Sequence, residues 1–377
     1  MRLFSSPSET DGAVGGFTWL AAMLVFESGL AGALADVGLA PREVADEIWR
    51  VCDDADGYDL EELRRGTARD GTPVPALLAQ LRQRLSDDAQ AVLHRGATSQ
   101  DVVDTATMMV AHLALASLLA DLDAAGDAAA ALADRHRSDL AAGRTLLQQA
   151  TPITFGLRAA NWLTGLDDAA ARLTAIRDER LAVQLGGAAG NLAAFGDDGP
   201  AVVEALARRL ELAAPSVPWH TNRSRPAELA AALGQAAGAA GKVGTDVVLL
   251  AQTEVGEVAE GQPGASSAMP HKRNPAAAVT AVAAARRTPG LVATMLAAMP
   301  GEQERAAGAW QAEVETLSDL LRLTGAGVAA ARRSLEGLEV FPERMRANVE
   351  VSGDLGANDE LIDRALAAHR ARTGGTA

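Results

Sequence analysis

Helical periodicity runs through this chain in tracts too long for an ordinary globular helix, and almost no stretch alternates as a strand would. From Val102 to about Arg137, Met108, His112, Leu115, Leu119 and Leu122 recur at steps of three and four, drawing one apolar stripe along a single helix. Similar tracts cover residues 155–185, 226–260, 275–299 and 303–335. A thirty-residue helix is a rod of about 45 Å, and one that is apolar on more than one face must be covered on several sides. The expected fold is therefore all-α: a long central helical bundle with smaller flanking helical units, in which other subunits cover some faces.

Composition decides what fills such a bundle. Apolar residues make up 48% of the 377 residues but aromatics only 3%, so Ala, Leu and Val must build the core and let helices approach closely. The net charge of −15, with no long basic patch, argues against nucleic acid or an anionic membrane as partner. A single cysteine, Cys52, precludes an internal disulfide and suits a reducing cytoplasm, and no Cys/His spacing suggests a metal. The opening "MRLFSSPSETDG" lacks the apolar core of a signal peptide, and the Ala-rich tracts are interrupted by charge. These features predict a soluble cytoplasmic protein. Three units are expected: an N-terminal helical domain over 1–100, the bundle over 101–335 and a short C-terminal segment over 336–377.

Three loops each deliver polar residues to the start of a long helix. In "HRGATSQDVVDT", Thr98 or Ser99 can cap the helix, with Thr98 and Asp101 at capping-box spacing. In "GRTLLQQATPITFG", Thr151 is placed as cap with Pro152 at the first helical position, and in "GQPGASSAMPHKRNP" Asn274 and Pro275 take the same roles. Helix starts offer unpaired N–H groups and partial positive charge, so each could hold a carboxylate, although each alone could equally be a well-capped helix. The third loop is harder to read that way. His271, Lys272 and Arg273 crowd positive charge onto a helix start that disfavours it, beside Ser266, Ser267 and small residues that permit close approach to a ligand.

Of the histidines, His112 on its apolar stripe reads as packed or at an interface, and His136 and His369 in charged surroundings read as solvated. His94, just before the first loop, is the candidate ligand contact; His220 in "PWHTNRSR" is a lesser one, with Trp219 beside it as packing.

Taken together, "HRGATSQD", "GRTLLQQATPITFG" and "GASSAMPHKRNP" resemble the three motifs of the fumarase/aspartase superfamily, over about residues 1–350. "TLLQQATPITFGLRAA", "PWHTNRSR", "LLAQTEVGEVAEG" and "EQERAAGAWQAE" are most similar to its bacterial cycloisomerase branch, which closes a carboxylated muconate to a lactone in aromatic-compound degradation. The resemblance implies a homotetramer whose active sites are each built by three subunits, a small tricarboxylate substrate and no cofactor. It also implies roles: Ser266 moves the proton at carbon, Lys272 and Asn274 cradle the enolate carboxyl, and His94, Thr98 and Ser99 bind carboxylates. Arg144, Gln148 and Arg305 are further candidate ligands, with Arg223 and Arg225 behind them. Two departures stand out. Ala265 replaces the glycine usual before the Ser pair, and only 24 residues follow Gly353, of which "LGANDELIDRALAAHR" resembles the family's extreme C-terminus. An intervening helical segment, with its lid role, is thus expected to be absent.

The chemistry separates the rival readings. An amine-eliminating lyase of the adenylosuccinate type must protonate its leaving group and carries a histidine just after "GRT", where this chain has Leu146; a departing carboxylate needs only cations and N–H donors. A fumarate-releasing lyase and an inactive helical scaffold stay open as alternatives, the scaffold disfavoured by an intact Ser266, Lys272 and Asn274.

Overall fold

In the computed structural model, residues 8–269 and 271–374 are described; residues 1–7 of the opening segment, Pro270 of the serine loop and the closing 375–377 lie outside them. Six short or medium helices come first: α1 (Glu9–Ala13), α2 (Gly16–Asp36), α3 (Arg42–Cys52), α4 (Leu60–Asp70), α5 (Val74–Arg82) and α6 (Asp87–Val92). The long helices are α7 (Ser99–Arg135), α8 (Phe155–Glu179), α10 (Ser224–Leu250), α11 (Ala276–Ala297) and α12 (Ala309–Glu336), with α9 (Gly199–Leu210) on the connection between α8 and α10. Two small helices, α13 (Pro342–Asn348) and α14 (Asn358–Thr373), close the chain. α7 packs on α8 and α12, and α10 on α11, α12 and α8, so the five long helices form the bundle that the periodicity implies.

The core is what the composition requires. α10 and α11 cross at small residues, where a Cβ on Gly241 would sit 2.4 Å from that of Ala285. Helices α2 and α7 are long and apolar enough to cross a bilayer, which the charge-interruption argument did not anticipate; their apolar windows are 67% and 72% buried inside the fold, as core helices are.

Two features differ from expectation. Strands exist: β1 (Leu140–Thr145) pairs antiparallel with β2 (Gln148–Thr154), and β3 (Val258–Glu260) with β4 (Leu338–Val340). They are too short and too rich in Ala, Gly and Gln to show in a pattern search. As a result Pro152 lies in β2, and the cap of α8 is Thr154, whose hydroxyl accepts the Leu157 N–H at 3.1 Å, not Thr151. The terminal helix is the second difference. His369 is buried, with Nε2 2.9 Å from Asp127 on α7 and Nδ1 2.9 Å from Asp167 on α8, and Arg372 pairs with Asp123 and Asp167. His136 is likewise not solvated: it bonds Asp139 at 2.7 Å and meets Phe155 edge-on. His112, read from its stripe as packed or at an interface, is not packed within the single chain, where it is exposed.

The bundle separates the motifs. With 37 residues, α7 is about 55 Å long, so Thr98 at its start and the β1–β2 hairpin beyond its end are at opposite poles. Helix α10 starts beside the first pole, after His220, and ends beside the second, before Glu257.

Candidate active site

At the first pole one buried carboxylate organises the backbone. Thr98 is the N-cap of α7, and Asp101 accepts its N–H at 2.9 Å, so the capping box read from the sequence is present. The same carboxylate accepts the N–H groups of Gly186 and Gly187 at 3.0 Å each and faces His220 Nε2 at 2.7 Å. Gly187, at φ +70°, has to be glycine, because a Cβ would lie 2.6 Å from the Gly96 carbonyl oxygen. Its own carbonyl accepts Arg305 Nη2 at 3.0 Å, while Arg305 Nε is buried with no hydrogen-bond partner among the described residues. Thr98, Ser99 and Arg305 are thus brought together in one cradle at the start of α7, in which Asp101 itself takes the Thr98, Gly186 and Gly187 N–H groups.

His94 joins it from the preceding turn, in a left-handed conformation at φ +58°. Its Nδ1 lies 2.7 Å from Glu27, which is fully buried on α2. Burial disfavours the imidazolium, but the hydrogen bond to Glu27 and that residue's charge outweigh it and raise the His94 pKa.

Behind the cradle lies a polar network absent from the sequence reading. Arg223 is 5% exposed and bonds both Asp104, at 2.8 and 2.9 Å, and Glu313, at 3.0 Å. Burial pushes the Glu313 carboxyl up against the pull of Arg223. Gln100 links this group to His220 by donating to the His220 carbonyl at 2.9 Å and to Asp104 at 3.1 Å. His220 and Arg223, weighed from sequence as ligands, bond Asp101, Asp104 and Glu313 and so tie α7, α10 and α12 together; Arg225 donates to the Arg180 carbonyl at 2.6 Å. Trp219 is buried, as its packing role implies.

The second pole carries the other two motifs. Arg144 on β1 makes a two-pronged bond to Glu257 at 2.6 and 3.1 Å, and that buried carboxylate also accepts Asn348 Nδ2 at 3.0 Å. Gln148 stands exposed at the hairpin tip; its neighbour Gln149 ties the hairpin to the C-terminal segment by donating to the Asn348 carbonyl at 2.8 Å. Between the strands, Leu146 and Leu147 form a two-residue turn with φ +51° and +63°, and they are 96% and 69% exposed. Asn or Gly is the usual occupant of such a turn.

In the serine loop, Ser266 Oγ accepts the Met269 N–H at 3.1 Å, a bond that also favours an ionised oxygen. Lys272 is exposed, and Asn274 Nδ2 reaches back to the carbonyls of Gly264 and Ala265 at 3.4 Å. Asn274 is not the helix cap. Helix α11 starts at Ala276 with Pro275 as N-cap, and Glu260 takes the N–H groups of Ala277 and Ala278 at 3.1 and 2.8 Å. The carboxylate site expected at that helix start is filled by the chain itself. Arg273 pairs with Glu339 on β4 at 2.7 Å, so of the basic trio it serves the fold.

A family model described as lyase matches residues 10–290. The chain is 44% identical over 342 residues to the 3-carboxy-cis,cis-muconate cycloisomerase of Pseudomonas aeruginosa, covering 89% of this chain and 74% of that one. It is 41% identical over 357 residues to the nitrosuccinate lyase of Streptomyces davaonensis, covering 91% and 75%. Among solved structures, 3-carboxy-cis,cis-muconate lactonizing enzyme from Pseudomonas putida superposes with a TM-score of 0.91 at 34% identity, covering 98% of both chains. The chain belongs to the fumarase/aspartase superfamily.

Within one superfamily chain, then, His94, Thr98, Ser99 and Arg305 lie at one pole, and Arg144, Gln148, Ser266, Lys272 and Asn274 at the other. Asp101, Glu257 and Glu260 are the functional supports that sequence reasoning missed. Asp101 left a signal in its capping-box spacing, but nothing local marks Glu257 or Glu260, whose partners are distant in sequence.

Proposed function

We propose that the protein is a cofactor-independent cycloisomerase that interconverts 3-carboxy-cis,cis-muconate and a carboxymuconolactone. In lactonisation a carboxylate oxygen of the substrate adds to a double-bond carbon, and the neighbouring carbon takes a proton from Ser266. In reverse, the Ser266 alkoxide removes that proton, an enolate forms on the adjacent carboxyl, and the ring oxygen leaves as a carboxylate. Lys272 and Asn274 stabilise the enolate, and the Thr98–Ser99 helix start, His94 and Arg305 hold the remaining carboxylates, with Arg144 and Gln148 as further contacts.

The observation that carries this reading is the hairpin tip. Its two central residues are leucines, so the position from which an amine-eliminating relative would deliver a proton holds hydrocarbon. A carboxylate leaves as a stable anion with no acid to help it. The same feature favours a second reading, expulsion of nitrite from a nitrosuccinate, which the 41% identical lyase supports.

The poles of one chain are too far apart for one substrate, so the site belongs to an assembly in which the serine loop and hairpin of some chains meet the cradle of another. The exposed leucines 113, 146 and 296 and Val279 fit a homotetramer whose bundles cover one another. The test mixes the purified protein with 3-carboxy-cis,cis-muconate and follows the ultraviolet absorbance of the conjugated diene, with parallel assays for fumarate from adenylosuccinate and nitrite from nitrosuccinate. Loss of diene absorbance with neither release is expected. Efficient fumarate release from adenylosuccinate overturns the reading, and nitrite release with an unchanged diene replaces it with the second.

A further inference from the structure

A cavity of about 580 Å³ lies between α8, α10 and the β1–β2 hairpin, apart from the serine loop and from the cradle. Its volume is that of a small-molecule site. Three cations line it, Arg144, Arg158 and Lys242, in a protein of net charge −15. Two carboxylates answer them. Glu257 takes both prongs of Arg144, and Asp246 pairs with Lys242.

Arg158 shares Glu257 with Arg144 at the limit of ion-pair distance. Its side chain is 12% exposed, one arm donates to the Ala142 carbonyl at 2.9 Å, and Nη1 is 4.0 Å from Glu257, beyond hydrogen-bond reach. That Nη1 is buried with no hydrogen-bond partner among the described residues. A guanidinium stays charged even when burial and the nearby Arg144 lower its pKa, as they do here against the pull of Glu257. Three cations thus face two carboxylates, which leaves the cavity one positive charge in excess. Around it the walls are apolar: Leu157, Leu249, Leu250 and the little of Trp162 that is not buried, its indole N–H already bound to Asp246.

The geometry points to a second ligand site in this cavity, one that takes a monocarboxylate with a planar apolar body, its carboxylate on Arg158 and its body against Leu157, Leu249 and Trp162. One excess positive charge matches one carboxylate, and a tricarboxylate would bring two charges with no partner. Because Glu257 and Arg144 form the cavity's other wall, an occupant sits directly under the hairpin that carries Leu146 and Gln148.

Benzoate is the probe, its binding followed by titration calorimetry on the assembled wild-type protein and on folded variants checked by circular dichroism. Arg158→Met is expected to weaken binding by about tenfold or more, the loss of one charged hydrogen bond. Leu249→Glu, at a half-buried wall position, is expected to do the same by repulsion and decides the matter should Arg158→Met fail to fold. Lys272→Ala, in the serine loop, is expected to bind benzoate as the wild type does. No binding to the wild type at millimolar benzoate, wild-type affinity in the folded cavity variants, or loss of binding in Lys272→Ala each overturns the proposal, the last by placing benzoate at the catalytic loop. None of these outcomes depends on which reaction the protein catalyses.

Discussion

The two poles of the bundle are built on opposite principles. At the cradle, Asp101, Asp104, Arg223, His220 and Glu313 are all nearly inaccessible and bond one another or the backbone, so the start of α7 is fixed within the chain. At the serine loop, Ser266 has one local bond, Lys272 is exposed, and Asn274 makes only two long contacts. Binding of anions calls for preorganised donors, and these can be wired inside one chain. Proton transfer at carbon, the role proposed for Ser266, calls for a residue that reaches the substrate, and in the single chain its loop stays open.

That contrast can be broken most directly at Ser266. Ser266→Ala is expected to lower turnover of carboxymuconate by on the order of a thousandfold or more, with the melting temperature unchanged. Near-native turnover would remove Ser266 from the mechanism. At the other pole the effect should fall on stability. Arg223→Leu leaves Asp104 and Glu313 buried without a cation and is expected to cost about 3–5 kcal/mol in urea denaturation, whereas Lys272→Ala should stay within about 0.5 kcal/mol. Equal losses for the two variants would mean that the poles do not differ as described.

The hairpin sharpens the comparison. Left-handed leucines cost about 1–2 kcal/mol each, so replacing Leu146 and Leu147 by Asn and Gly should stabilise an isolated turn. If a second chain holds the tip, the double variant is expected to lose oligomer in light scattering and turnover with it; a gain in stability with assembly and activity intact would show the tip to be a plain turn. The smallest effect concerns His94. Its folded pKa is raised above 6.5, so its contribution to stability is complete below that pH and fades as pH rises through the folded value. The stability gap between wild type and His94→Gln should thus be largest near pH 6 and close on going alkaline. A gap that is flat or widens with pH would show that the Glu27 bond does not hold the charged form.

Much of the bundle was legible because it is written locally. The step of three and four from Met108 to Leu122 gave α7 within a few residues, and Thr98–Asp101 gave its start. The first hairpin was not legible, since Gln148 and Gln149 have no strand preference and only pairing with Thr145 and Arg144 makes them a strand. Pro152 and Asn274 misled for a related reason: each has the spacing of a helix start, but Thr154 and Glu260 hold the N–H groups instead. His369 looked solvated beside its arginines because the two aspartates that enclose it lie more than 200 positions earlier, Asp127 and Asp167.

The sequence by itself determined the all-helical architecture, the apolar stripes that hold it and the three motif loops, because each depends on residues within a turn or two of one another. Tertiary structure alone decided which charges are free. Lys272, Arg273, Arg144 and Arg158 read alike in a sequence, yet Arg273 is paired with Glu339, Arg144 is clasped by Glu257, Arg158 is buried with an open N–H, and Lys272 is exposed. Whether a charge is paired is set by the distance to its counter-charge and the water excluded between them, and neither quantity exists until the chain has folded.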